Sequence, residues 1–330
     1  MKVADDAIQK GLRHPIKALK HLFDSIYRDG VLTASSRSLL GTNIYTCDWD
    51  LLIILDTCRL DALKLVASEY DFLTPNKIET ATSVGGSTLE WTANTFTHHF
   101  RDEIVSTGFV SANGWPRRIL REGYNPEQQL DMSVLPKFWS TVSESDLGVH
   151  IPAWKYGPGR GAESDQPQAS AETVVDFVIR LGREQEFDRV IAHLIEPHYP
   201  YVGALEQRGD IPVSKFGVLP WRHVESKKDI DLLWDLYIQE LRIGLDSIER
   251  LLNNFDAERV LITADHGEAF GELGVFGHNT GSLHPKVRQV PVTWTTADDH
   301  GSYHPPKYEE DQNMTVEQNL EALGYLPNRK

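Results

Sequence analysis

The sequence predicts an α/β protein, a mostly parallel central sheet flanked by helices on both faces in a three-layer sandwich. Two observations carry that expectation. Nearly continuous apolar runs of strand length recur along the chain, as in "DWDLLIILD" at 48–56, and such runs belong to strands covered on both faces. Helical patterns of ten or more residues alternate with them, which is the signature of parallel strands joined by crossover helices.

The elements follow in order. "HPIKALKHLFDSIYRDG" is an amphipathic helix with basic residues, expected to pack peripherally on the domain rather than to anchor it to a membrane. After the strand at 48–56 a helix is expected from Arg59 to Tyr70, with Leu60, Leu63, Leu65 and Val66 as its apolar contacts. In "ETATSVGGSTLEWTANTF", residues 79–96, small hydroxyl residues and two glycines lead into a helix beginning near Thr88. There Ser87 or Thr88 could cap the helix, or present a hydroxyl to an anion at its positive end. "EIVSTGFVSANGWP" reads as a strand ending in the turn residues Asn113, Gly114 and Pro116.

Further along, Ser170 caps a helix over 170–187 whose stripe is Val174, Phe177, Val178 and Leu181. It leads to the strand "DRVIAHLIE". The longest helical pattern spans 229–255, interrupted only by Gly244, and feeds the strand "ERVLITAD". The last strand, "VRQVPVTWT", contains Pro291 and is therefore expected near an edge or at a strand beginning. Regions 154–170 and 200–228 read as long loops, which in a compact domain are more often functional than idle. The expected organisation is an N-terminal helical extension over 1–47, a catalytic domain over 48–297, and a polar C-terminal extension over 298–330 ending in a short helix.

Composition narrows the function. A net charge of −15 argues against non-specific binding to nucleic acid or anionic lipid. Two cysteines, Cys47 and Cys58, make no disulfide framework, so a reduced, cytoplasmic setting is the default. No apolar run reaches the length of a membrane span.

In an open parallel sheet, ligands bind at the carboxyl ends of the strands. Three strands end in acids: the first in Asp56, the one at 189–195 in Glu196 with His198, and the one at 259–264 in Asp265 with His266. Carboxylates and imidazoles converging there suit a divalent cation. Gly267 lets the chain turn away without a side chain in the pocket. Downstream, His278, His284, Lys286 and Arg288 offer a second metal or an anion grip, although the last three read equally well as surface groups.

These motifs, in this order, resemble the sulfatase-like branch of the alkaline phosphatase superfamily: "DLLIILDTCRLDAL", a hydroxyl-rich turn into a helix, "HLIEPHYPY", "LITADHGEAFGELG", then "GH" and "VRQVP". The matching segments spread over about residues 48–295. The resemblance implies an alkaline phosphatase-like fold and a divalent metal (zinc, manganese, calcium or magnesium) held by Asp56, Asp265 and His266, with Thr88 and His278 contributing. It also implies a nucleophile at Thr88, with Ser87 as the alternative, and His198 on the substrate anion or a second metal. The chain has no Cys-x-Pro-x-Arg segment and carries Thr57 where sulfatases have a second acid. The expected activity is therefore hydrolysis or transfer of a phosphate ester or phosphodiester ahead of a sulfate ester. The substrate would be a small molecule, a glycan or a lipid headgroup. A metal-dependent phosphosugar mutase and a non-catalytic protein binding a glycan or anionic headgroup are the alternatives.

Overall fold

The computed structural model describes residues 15–130, 135–156, 169–211, 219–310 and 315–316. Its centre is a seven-stranded sheet built from β1 (Leu51–Leu55), β2 (Glu79–Thr82), β3 (Thr107–Ser111), β4 (Val149–Pro152), β5 (Arg189–Leu194), β6 (Ala257–Thr263) and β9 (Gln289–Ala297). The order across the sheet is β2-β9-β6-β1-β5-β3-β4. β1 runs parallel to both β5 and β6, and β3 runs parallel to β4 and β5. β9 is antiparallel to its neighbours β6 and β2. A small hairpin of β7 (Ala269–Phe270) and β8 (Phe276–Gly277) stands apart.

Every residue of β1 is buried, as its unbroken apolar run requires. Alternate residues feed two cores. Leu51, Ile53 and Leu55 join the larger one, with residues of the helices over 171–184 and 227–252, while Leu52 and Ile54 join Trp49, Trp91, Phe96 and Phe109 on the other side. The sheet is thus the middle of three layers.

Six helices are used below: α1 (Pro15–Ser35), α2 (Leu60–Val66), α3 (Thr88–Thr95), α4 (Ala171–Glu184), α5 (Val202–Arg208) and α6 (Lys227–Leu252). α2 stops at Val66, and residues 67–69 tighten into a 3₁₀ turn, so the helix expected to Tyr70 is shorter. Strands β2 and β4 and helix α5 are additions to the expected elements. β9 lies one strand in from the edge, which β2 occupies. Pro291 is the third residue of β9, paired with Thr80 of β2 and one residue before the segment that pairs with β6, so it stands inside the strand rather than at an edge or at its first residue. Residues 298–310 lie as irregular chain against α4, held by Arg183 to Asp299 at 2.6 Å and by the Tyr308 hydroxyl donating to Asp176 at 2.6 Å. The short helix expected near the C-terminus falls outside the described residues.

α1 forms where an amphipathic helix was expected, but it packs by its other face. Ser25, Asp29, Leu32 and Ser35 are buried, while Leu22, Phe23, Ile26 and Tyr27 are exposed.

Gly244, the break in the long helical pattern, has a packing reason. A Cβ there would lie 3.0 Å from the Cβ of Glu196 and 3.5 Å from Leu55 Cδ2, so α6 crosses close over the carboxyl end of β1 and β5. Gly244→Val is expected to lower stability by about 1–3 kcal/mol through overpacking, despite the poor helix propensity of glycine. A urea midpoint that rises instead, at unchanged slope, would contradict this close approach.

Candidate metal centre

The sheet order brings the chemistry together. Asp56 follows β1, Asp265 and His266 follow β6, and β1 and β6 are neighbours. On the other side of β1, His193 of β5 pairs in register with Ile54. Asn113 lies just past β3, and Thr88 opens α3. Ligand atoms of Asp56, Asp265 and His266 all lie within 4.8 Å of one another, and all three residues are buried.

Thr88 stands among them. Its Oγ1 donates to Asp265 Oδ2 at 2.8 Å and lies 3.4 Å from Asp56 Oδ2 and 3.3 Å from His266 Nε2. Asn113 Nδ2 donates to Asp56 Oδ2 at 2.8 Å. Asp265 Oδ1 accepts the backbone N–H of His266 at 2.8 Å and that of Thr57 at 3.2 Å. Thr57 achieves this in a left-handed conformation, φ 66°, which is strained for a β-branched residue. Its carbonyl accepts the Tyr237 hydroxyl at 2.8 Å, which helps hold the turn.

The tautomers follow from the second ring nitrogens. His266 Nδ1 lies 3.0 Å from the Gly267 carbonyl, which only accepts, so Nδ1 carries the proton and Nε2 presents a lone pair. His193 Nδ1 lies 3.1 Å from Ser111 Oγ, whose own proton goes to the Asn113 carbonyl. His193 Nε2 is then also a lone pair, 3.7 Å from Asp56 Oδ2 and 4.0 Å from Asp265 Oδ2. Neither His193 Nε2 nor Asp56 Oδ1 has a hydrogen-bond partner among the described residues, and both are buried.

Two carboxylates and two imidazole lone pairs converging in a dry site repel one another. Without a counter-charge, burial and then Asp265 push the Asp56 carboxyl well up, and burial pushes His193 and His266 down to about 4. Neutral imidazole, carboxylate and hydroxyl are together the donor set of a divalent cation, and the orphaned Asp56 oxygen and His193 nitrogen fit one.

Other residues singled out from the sequence lie elsewhere. Ser87 is the N-cap of α3, accepting the Glu90 N–H at 3.4 Å, and its Oγ is 2.8 Å from Thr280 Oγ1. His278 packs on His266 with ring centres 4.4 Å apart, and its Nδ1 is 3.0 Å from Glu268 Oε2. The His198 ring is 5.1 Å from that of His278, forming a layer behind His266. Glu196 turns away, accepting the Ala171 N–H at the start of α4 at 3.0 Å. His284 caps the turn at 285–288, and Lys286 pairs with Asp61 on the surface. Gly267 is required for closeness rather than for an open pocket, since a Cβ there would lie 2.2 Å from the Lys286 carbonyl.

Sequence reasoning passed over His193, Asn113 and Glu268. It also missed how Arg288 is used. Arg288 is buried and meets Glu90 at 2.6 Å, while its Nε donates to the Ser282 carbonyl at 2.6 Å. Glu90 Oε2 accepts the N–H groups of Gly86 and Gly281, each at 2.9 Å. One carboxylate therefore ties the turn before α3 to the loop at 279–288. Arg288→Ala leaves that carboxylate buried without its partner and is expected to cost about 3–5 kcal/mol in urea unfolding. A loss under about 1 kcal/mol, the size of a surface pair, would show that the brace is not needed.

No protein family and no curated protein matches the chain. Solved structures similar to it include the soluble domain of lipooligosaccharide phosphoethanolamine transferase A from Neisseria meningitidis, 14% identical over 76% of each chain with a TM-score of 0.47. The C-terminal periplasmic domain of EptC from Escherichia coli, in complex with Zn, is 13% identical over 86% of this chain and 85% of that one, with a TM-score of 0.43. A 2-O GAG sulfatase is 14% identical over 75% of this chain and 64% of that one, with a TM-score of 0.37. At such scores the likenesses carry no argument about chemistry, which rests on this chain's own side chains. Sulfatases and phosphoethanolamine transferase domains are thus among the structural neighbours of this mostly parallel α/β chain.

Proposed function

We propose that the chain is a metal-dependent enzyme acting on ester bonds, with phosphate esters or phosphodiesters as the favoured substrates and Thr88 as the nucleophile. The observation that carries this reading is the placement of the Thr88 hydroxyl, 2.8 Å from Asp265 and 3.4 Å from Asp56, at the first turn of α3. A residue that only capped the helix would not need two buried carboxylates.

Asp56, Asp265 and His266 would hold the cation, with His193 close enough to Asp56 to assist. A divalent ion there supplies Lewis acidity to an ester oxygen and favours ionisation of a nearby hydroxyl. The remaining work belongs to the protein. Thr88 Oγ1 forms the new bond to phosphorus as the ester oxygen leaves with its bonding pair, and the hydroxyl proton departs along the hydrogen bond to Asp265. The N–H groups opening α3 face developing negative charge. Asn113 keeps Asp56 oriented, and His198, which the sequence put on the substrate anion, stands behind His278 and His266 rather than beside Thr88. Water then releases the group in a hydrolase, and an acceptor hydroxyl does so in a transferase.

Thr88→Ala is expected to lower turnover of an aryl phosphodiester by about 10³-fold or more, in line with loss of a covalent nucleophile, while metal content by elemental analysis stays unchanged. Asp56→Ala should instead lose bound metal. Full activity of the Thr88 variant would overturn the nucleophile assignment alone. Chelation is expected to abolish turnover and to lower the melting temperature, because a ligand at a hundred times its dissociation constant stabilises by about 2.7 kcal/mol. Turnover that survives exhaustive chelation would remove the metal from the reading.

A further inference from the structure

We infer that Glu268 and Trp221 form a subsite that recognises a hydroxyl of the alcohol carried by the ester, which makes polyhydroxy alcohols the substrate class. The inference rests on the ester-handling reading above and deepens it. Glu268 follows His266 by two residues and is buried. One carboxylate oxygen is used on His278, whose Nδ1 lies 3.0 Å from Oε2. The backbone carbonyl of Glu268 accepts a hydrogen bond from Arg59 Nη1 at 3.3 Å, so the residue is held at both ends. The second oxygen, Oε1, is buried and has no hydrogen-bond partner among the described residues, and the same is true of Trp221 Nε1. The two face one point. A Cβ on Gly277 would lie 3.2 Å from Trp221 Nε1 and 3.6 Å from Glu268 Oε1. Glycine, in a left-handed conformation at φ 78°, keeps that point clear of a side chain.

The pair selects what can fill it. A buried donor and a buried acceptor left unpaired destabilise a site, and an apolar group would leave both so. The indole N–H turns its positive end to the point and opposes an ammonium or a metal ion, while the carboxylate opposes an anion. A hydroxyl accepts from the first and donates to the second. Position makes this a substrate subsite. Rings pack in sequence outward from the metal centre: His266 on His278 with centres 4.4 Å apart, His278 on Tyr199 at 5.8 Å, Tyr199 on Trp221 at 6.4 Å, and Trp221 on Phe276 at 5.9 Å. At the inner end His266 Nε2 lies 3.3 Å from the Thr88 hydroxyl, and at the outer end Phe276 is 37% exposed. The subsite therefore lies along the way from the reacting hydroxyl to solvent, where an alcohol bound as its ester extends. Aromatic walls with a few placed polar groups are how such sites fix the orientation of a small molecule.

The test is isothermal titration of the full chain, as purified, with glycerol 1-phosphate, propyl phosphate and 3-aminopropyl phosphate. Glycerol 1-phosphate is expected to bind at least about tenfold more tightly than propyl phosphate, the size of a hydrogen bond to a buried charged group. The amine should bind no more tightly than propyl phosphate. Trp221→Phe, which keeps a ring and removes the N–H, should reduce the hydroxyl preference to about threefold or less, with propyl phosphate affinity and melting temperature unchanged. Should that variant unfold, Glu268→Gln is expected to lower the same preference. Glucose 6-phosphate, titrated alongside, tells a ring from an open chain, since the tighter of the two hydroxylated esters names the source. Equal binding of glycerol 1-phosphate and propyl phosphate, which would give the point to a water, would overturn the inference. Tightest binding of the amine, or no binding of any ester, would do the same. So would a second ion per chain that Glu268→Gln removes in elemental analysis. Binding is read without turnover, so failed turnover counts against the ester chemistry alone, and an active enzyme without the preference counts against the subsite alone.

Discussion

Asp56 and Asp265 stand at the ends of adjacent parallel strands, both fully buried. Like charges held that near one another in a dry interior repel strongly. Much of the surrounding structure can be read as the response. Asn113 donates to one carboxylate, the backbone of Thr57 and His266 to the other, and Thr88 completes the set. These neutral donors orient the acids without neutralising them. The strained turn at Thr57 sits where its N–H meets Asp265 and its carbonyl accepts the Tyr237 hydroxyl. The remaining deficit of positive charge is what a cation supplies.

Around that pair the molecule is built in shells of decreasing regularity. The strands fix the carboxylates, α3 fixes the hydroxyl, and the Arg288–Glu90 brace fixes α3 relative to the loop that follows β8. Arg59 plays a similar part on the other side, buried and paired with Asp61 and Glu272 at 2.6 and 2.8 Å. Arg288 and Glu90 are both buried, so that pair tolerates little displacement, whereas Arg59 is buried against two partly exposed acids.

The parts that could be read from sequence were those where one local signal had one physical meaning. β1, β5 and β6 are covered on both faces, so their apolar runs were legible, and so were the acids that end them. β2, with its residues Glu79, Thr80, Ala81 and Thr82, is a polar edge with no hydrophobic signature. β4 is short and half-buried, and α5 follows directly on the prolines at 197 and 200. His193 was hidden because it sits inside an apolar strand, where nothing in the local pattern reveals that its Nε2 meets two acids from other strands. Asn113 was read as a turn residue, and it is one: its Oδ1 accepts the Trp115 N–H at 2.9 Å while its amide serves Asp56. One side chain with two duties shows only the local one in sequence. The outward apolar face of α1 was equally invisible, since periodicity defines a face but not which neighbour it meets.

The hydroxyl and the carboxylate it bonds are 177 residues apart in the chain. Contacts of such long range form only once loop closure over most of the chain has been accomplished. A nascent polypeptide that has released β1 and α3 from the ribosome still lacks half of its coordinating groups until β6 emerges. The acid and imidazole groups that could hold an ion are thus brought together only after β6 has been made, and shorter nascent chains have no preformed cage.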